Sequence, residues 1–146
     1  MSVVEGKQKT GEMAVITCAA ELASYTVHIC SNEGNFPKRY RWCITNKIVD
    51  SAVDINRYLQ SANSIKVDYP EDYRLRQAYQ KKALAETYAL LASITVAQKV
   101  FGIEASRREC WSRKIYSVQN LSRDWIRKDR ARYSDELKRK GFDIEG

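Results

Sequence analysis

The sequence is poor in chain breakers: six glycines and two prolines in 146 residues, with both prolines ahead of candidate helices. That scarcity excludes a fold of many short strands and tight turns and favours a few long helices. Histidine is nearly absent, His28 standing alone, and none of the cysteines (Cys18, Cys30, Cys43, Cys110) belongs to a C-x-x-C pair. Zinc sites are usually built from paired ligands at short spacing, so no metal or other cofactor is expected. The cysteines are expected to be reduced and structural, with Cys18 and Cys43 at or near apolar-stripe positions, since free cysteine packs as a small hydrophobe. No apolar run approaches the length of a membrane span, so no membrane association is expected. The opening MSVVEGKQKTGEM lacks an apolar core followed by a small-residue cleavage site, so the expected compartment is the cytoplasm.

What the chain has in quantity is positive charge. The net charge is +7, and charged residues make up 29% of the sequence. Such a balance favours polyanionic partners: nucleic acid, an acidic protein or anionic lipid. The plainer alternative is a soluble protein that happens to be basic. A chain of this length fits one domain with one ordinary core. No internal repeat or low-complexity tract is present.

Four amphipathic segments follow. Residues 1–10 are expected to be a flexible N-terminus, 11–132 a helical bundle and 133–146 a charged tail. In the first helix, from about Gly11 to Ser31, Val15, Cys18, Leu22, Tyr25 and Ile29 repeat by three and four, and Gly34 is a candidate C-terminal cap. The second begins near Pro37 and ends near Ile65, with Ile44, Ile48, Ala52, Ile55, Leu59 and Ala62 on one face. The third starts after a candidate cap at Asp68, with Pro70 in its first turn and Glu71 and Asp72 at its positive end. Its expected stripe is Leu75, Tyr79, Leu84, Tyr88, Leu91, Ile94 and Phe101. The stretch ALAETYALLASITVAQKVFG has almost no polar face, which suggests burial in the bundle and against another subunit. Gly102 ends this helix. Ser106 and Glu109 form an S-x-x-E capping box for the fourth, which turns Trp111, Ile115, Val118, Ser122 and Trp125 inward and is expected to fray between Arg132 and Lys140. The implied fold is all-α, an antiparallel up-down-up-down four-helix bundle.

The positive charge concentrates in the fourth segment, where Glu104 to Lys140 holds twelve Lys and Arg against six Asp and Glu. Arg113, Arg123, Arg127 and Arg130 are expected on one helical face opposite the tryptophans. Asp124 can meet Arg127 or Lys128, and Asp129 can meet Arg132. Arg107, Arg108, Arg113 and Lys114 have few acids near them. A second basic group, Lys38, Arg39 and Arg41, opens the second helix, where a helix dipole favours acids. Arginine outnumbers lysine in the fourth segment, and arginine grips phosphate bidentately and stacks on bases. Tyr40, Tyr116 and Tyr133 are interleaved and could stack on unpaired bases. Most charge runs are no more than a solvated face, which is the competing account.

Phe36-Pro37-Lys38 with Arg41 a turn later, the helix ITNKIVDSAVDINRYLQSAN, the apolar LAETYALLASITVAQKVFGI and the final Trp125-Ile126-Arg127-Lys128 together resemble a known family. They are similar to the accessory variability proteins (Avd) of diversity-generating retroelements, and to the related four-helix bundles encoded in intervening sequences of bacterial 23S ribosomal RNA genes. The resemblance covers roughly residues 36 to 130. It implies a homopentameric barrel of four-helix bundles that binds nucleic acid and associates with a reverse transcriptase. It also implies a role in copying template RNA into mutagenised cDNA. Lys38, Arg39, Arg41, Arg123, Arg127 and Lys128 are the basic residues the resemblance carries over.

Two other classes compete. An oligomeric scaffold or protein-interaction module without nucleic-acid binding would use the apolar third helix as an interface. An enzyme is not expected. A di-iron bundle needs Glu-x-x-His pairs on facing helices, and Cys30 and His28, two residues apart, diverge on a helix.

Overall fold

The computed structural model describes residues 3–143, with side chains from Glu12 onward, and it is all-helical. Helix α1 spans Val3–Ser31, α2 Asn46–Ser64, α3 Pro70–Phe101 and α4 Ala105–Arg139. Among the described residues there is no strand. The four helices form a bundle in which α2 packs on α1 and α3, and α4 on α1 and α3.

Two of the expected stripes are buried much as the spacing dictates. Ile48, Ala52, Ile55, Leu59 and Ala62 of α2 are fully enclosed, with Ile44 half-buried against the same core. Trp111, Ile115, Val118, Ser122 and Trp125 of α4 also face inward. In α1 the buried line is Val15, Ala19, Leu22, Thr26 and Ile29, while Cys18 and Tyr25 lie at its margin. The part of α1 from Glu12 to Ser31 is long and apolar enough to cross a membrane by length and composition, contrary to the expectation of no such run. Here one face of that stretch fills the bundle core.

The stripe expected on α3 holds only in part: Ile94 is buried, and Tyr79, Leu91 and Phe101 pack partly buried against the core. Leu75 and Tyr88 are exposed, and the enclosed residues are Arg76, Gln80, Ala83, Thr87, Leu90, Ile94 and Ala97. These alternate steps of four and three, as a bundle seam requires. The expected set includes a five-residue step, Tyr79 to Leu84, which turns a helix by about 140° beyond a full turn and leaves the seam. The N-terminal part of the seam is made of small and polar residues, so the large apolar ones do not mark its face.

The helix ends also differ from expectation. Helix α1 begins at Val3, ahead of Gly11, in a stretch with no proline and several helix-favouring Glu, Lys and Gln residues. Its far end turns on Asn32, whose Oδ1 accepts from the Gly34 N–H at 2.8 Å, so Gly34 is not a left-handed cap. After Pro37 the chain winds as a 3-10 turn, Lys38–Tyr40, and a π-helical turn, Arg41–Thr45, before α2 proper begins. At α3 the cap residue is Tyr69, not Asp68. Asp72 Oδ2 accepts from both the Asp68 and Tyr69 N–H groups, and Pro70 occupies the first helical position. Gly102, at φ 76°, closes α3 as expected. The Ser106 capping box does not form: Glu104 is the cap position, and the Ser106 hydroxyl instead donates to the Glu104 carboxylate. Helix α4 continues through the stretch expected to fray, because Tyr133 and Leu137 are buried against Val67, with Tyr73 and Phe142 beside them.

Candidate nucleic-acid interface

The basic group before α2 meets the start of α4 at one end of the bundle. There the Arg107 guanidinium donates to Asn35 Oδ1, and the Tyr25 hydroxyl donates to the Arg107 carbonyl at 3.4 Å. Arg107 is therefore a half-buried tie between a turn and a helix, not a free surface cation. Arg41 pairs with Glu33 at 3.5 Å, an exposed bridge of the kind worth about 0–1 kcal/mol. Arg39 lies over the Tyr40 ring at 5.0 Å, and that ring stacks on Phe101 at 5.3 Å. Lys38 is exposed, and Arg108 is half-exposed nearby in sequence to Arg107.

Along α4 the cations divide between two grooves instead of sharing one face. Arg113 and Lys114 border a cleft of about 310 Å³ between α1 and α4, with Cys18, Glu21, Cys110 and Ser117. Lys114 also lies over the Tyr25 ring at 5.1 Å. Burial, with Glu21 adding to it, pushes the Cys18 thiol above its ordinary value. Arg123 turns the other way, toward α3, where it donates to the Tyr88 hydroxyl and sits 5.7 Å from that ring's centroid. Seventeen residues separate Arg113 from Arg130, about 100° of helix rotation, so one face cannot hold them all.

Arg127 and Lys128 do share Asp124, as the spacing suggests, with Lys128 Nζ at 2.9 Å. The hydrogen bond from Lys128 leads the effects that hold the Asp124 carboxyl below its usual range. Asp129 does not meet Arg132. It is buried and accepts from Arg76 Nε at 2.6 Å, while Arg132 reaches Glu136 and Glu12. Arg130 is exposed.

The tyrosines sort differently from the sequence reading. Tyr133 is buried and Tyr40 is stacked on Phe101, so neither offers a free ring face. Tyr116 is half in solvent, and so is Tyr88, which was expected in the core. The missed signal was the seam register of α3, which places Tyr88 outside it. Cys43, expected near a stripe, is exposed on the widened turn, and His28 is exposed on α1. Cys30 is buried, and burial pushes its thiol up to about 12, far from a ready nucleophile. Among the described residues no three His, Cys, Asp or Glu side chains are grouped to hold a metal ion.

Fold and surface together define a basic four-helix bundle with two cation-lined grooves. No family model, no curated protein and no solved structure matches the chain.

Proposed function

We propose that this protein is a non-enzymatic nucleic-acid-binding accessory factor of a retroelement reverse transcriptase, supporting mutagenic copying of template RNA into cDNA, as its likeness to the Avd family implies. The observation that most supports binding is the state of the surface cations. Lys38, Arg39, Arg108, Arg113, Lys114, Arg123 and Arg130 meet no carboxylate among the described residues, whereas Arg41, Arg127 and Lys128 do. Cations without a carboxylate partner can neutralise phosphates and displace the counterions condensed on the nucleic acid, so affinity falls steeply with salt. Anisotropy titrations with a structured RNA at about 50 and 200 mM salt test this. Absence of binding at the lower salt ends the reading.

In this reading the bundle is antiparallel, up-down-up-down, and five copies close into a barrel in the cytoplasm, with the reverse transcriptase and its RNA or cDNA as partners and no membrane. Light scattering should return about 85 kDa, five times the 16.9 kDa chain. An oligomeric scaffold without nucleic acid is the second reading. It is favoured by Trp42, 83% exposed, and by the exposed Val96 and Val100 near the end of α3.

A further inference from the structure

The groove between α3 and α4 carries a regular pattern that overall charge does not explain. On α4, Tyr116, Arg123 and Arg130 are all exposed and seven residues apart. On α3, Lys81, Tyr88 and Thr95 are likewise exposed at sevens. Seven residues are two helical turns, so each set forms a line along its helix with a repeat of about 10 Å. The contact between Tyr88 and Arg123 pins the lines side by side at their midpoints. Farther along the same helix pair, Arg76 meets Asp129. Residue numbers therefore rise on α3 as they fall on α4. That register sets Lys81 beside Arg130 and Thr95 beside Tyr116. The rungs read cation with cation, ring with cation, hydroxyl with ring. Glu109, seven residues before Tyr116, closes the line with an acid and bounds the track at that end.

Resting on the nucleic-acid reading above, we propose that this groove is a stacking track for an unpaired polynucleotide and prefers single strands to duplex. Each partner of the pattern has a use that only an unpaired strand supplies. Tyr88 and Tyr116, each 50% exposed, offer ring faces, and any base has a π-face to lay on them. Arg123 lies over Tyr88 and extends that platform with its own planar guanidinium. Lys81 and Arg130 stand at the cationic end, where backbone phosphates of the same strand would pass. In a duplex the bases are stacked on one another and closed to the tyrosines, so only the phosphate contacts remain.

The test uses the full chain, a fluorescein-labelled 20-nucleotide oligo-dT and a labelled hairpin duplex of matched phosphate number, at fixed low salt. The wild type should bind the oligo-dT more tightly. Replacing Tyr88→Leu or Tyr116→Leu should weaken oligo-dT binding by about fivefold to a hundredfold per ring while leaving hairpin affinity unchanged. Tyr88→Phe and Tyr116→Phe keep the ring and should retain the preference. Circular dichroism melts confirm that the leucine variants remain folded, as expected for exposed positions. Leucine variants that bind oligo-dT like the wild type, or that lose both polymers equally, overturn the stacking track while nucleic-acid binding stands. A wild type that binds neither polymer overturns the parent reading and this inference together.

Discussion

At the end of the bundle where α3 gives way to α4, Phe36, Phe101, Trp111 and Tyr25 pack ring against ring. Phe36 meets Phe101 edge-on at 5.1 Å and Trp111 at 5.9 Å, and Tyr25 meets Trp111 at 6.5 Å. The Trp111 indole donates to Thr26 Oγ1 at 3.0 Å, so its one polar atom is satisfied. Toward the other end the centre of the fold is a charge. Arg76, almost wholly enclosed, donates to both Asp129 oxygens, at 2.6 and 3.2 Å, and to the Ile65 carbonyl at 3.4 Å. It also pairs with Glu12 at 3.6 Å and lies over the rings of Trp125 and Tyr133. Gln80 Nε2 gives Asp129 a third donor, at 2.8 Å. One end is held by shape, whose partners are interchangeable within limits of volume. The other is held by complementary charge, whose partners depend on one another.

The largest expected effect is at the aromatic end. Trp111→Ala should destabilise by about 3–5 kcal/mol in a denaturant titration, since it opens a cavity against the Tyr25 and Phe36 rings and removes the donor to Thr26 Oγ1. Asp129→Ala should cost a comparable amount, about 3–5 kcal/mol, for the different reason that it takes the closest carboxylate from a buried guanidinium and leaves it only the longer contacts to Glu12 and the Ile65 carbonyl. The comparison breaks or survives on a paired replacement. Arg76→Met with Asp129→Leu should recover most of that loss, because removing both charges removes their desolvation cost and leaves only the buried Gln80 amide without its acceptor. A double variant as unstable as Asp129→Ala would mean the ionic end is not the interdependent unit described.

The same contrast explains what could be read without a structure. The stripes of α2 and α4 were legible because their inward residues are large and apolar: Ile48, Ile55 and Leu59, then Trp111, Ile115 and Trp125. Their spacing is enough to choose a face. The N-terminal half of α3 hides its inward face behind Arg76, Gln80, Ala83 and Thr87, while Leu75 and Tyr88 advertise the wrong one. Local spacing pairs Asp129 with Arg132, whereas its true partner, Arg76, lies on another helix. The extension of α4 to Arg139 was missed for a similar reason. Tyr133 and Leu137 are two inward residues among many charges, and only packing against Val67 shows their value. For the candidate site, the cations were identifiable, but their division between grooves was not. That division depends on which helix each one faces.

Alkaline pH should sharpen the contrast with a smaller effect. Burial raises the Cys30 thiol from an ordinary 9.0 to about 12. Below about pH 9 the folded and unfolded chains both hold this proton, so stability is full. Above it the unfolded chain releases the proton and the fold retains it. Stability therefore falls by about 1.4 kcal/mol per pH unit from this group until pH passes its folded value. Tyr25, raised to about 12 chiefly by burial and then by its hydrogen bond with Cys110, joins above pH 10. In denaturant titrations at pH 8, 9 and 10, Cys30→Ala should flatten this limb by the equivalent of one proton. An unchanged slope would show that the thiol is not held protonated by the core.

The smallest expected effect belongs to the surface, outside both ends. Arg123→Glu with Arg127→Glu removes a contact to Tyr88 and one bridge to Asp124, all between exposed or half-exposed groups. It also sets a new acid three residues from Asp124, a repulsion of a few tenths of a kcal/mol on a helix. Stability should move by no more than about 0.5 kcal/mol. RNA affinity, if these arginines grip phosphate as proposed, should fall sharply in the same preparation. The pair of measurements separates the residues that hold the bundle from those that use it. A melt that drops as far as that of Trp111→Ala would place Arg123 among the first group and would show that the α3/α4 groove is itself part of what keeps the helices together.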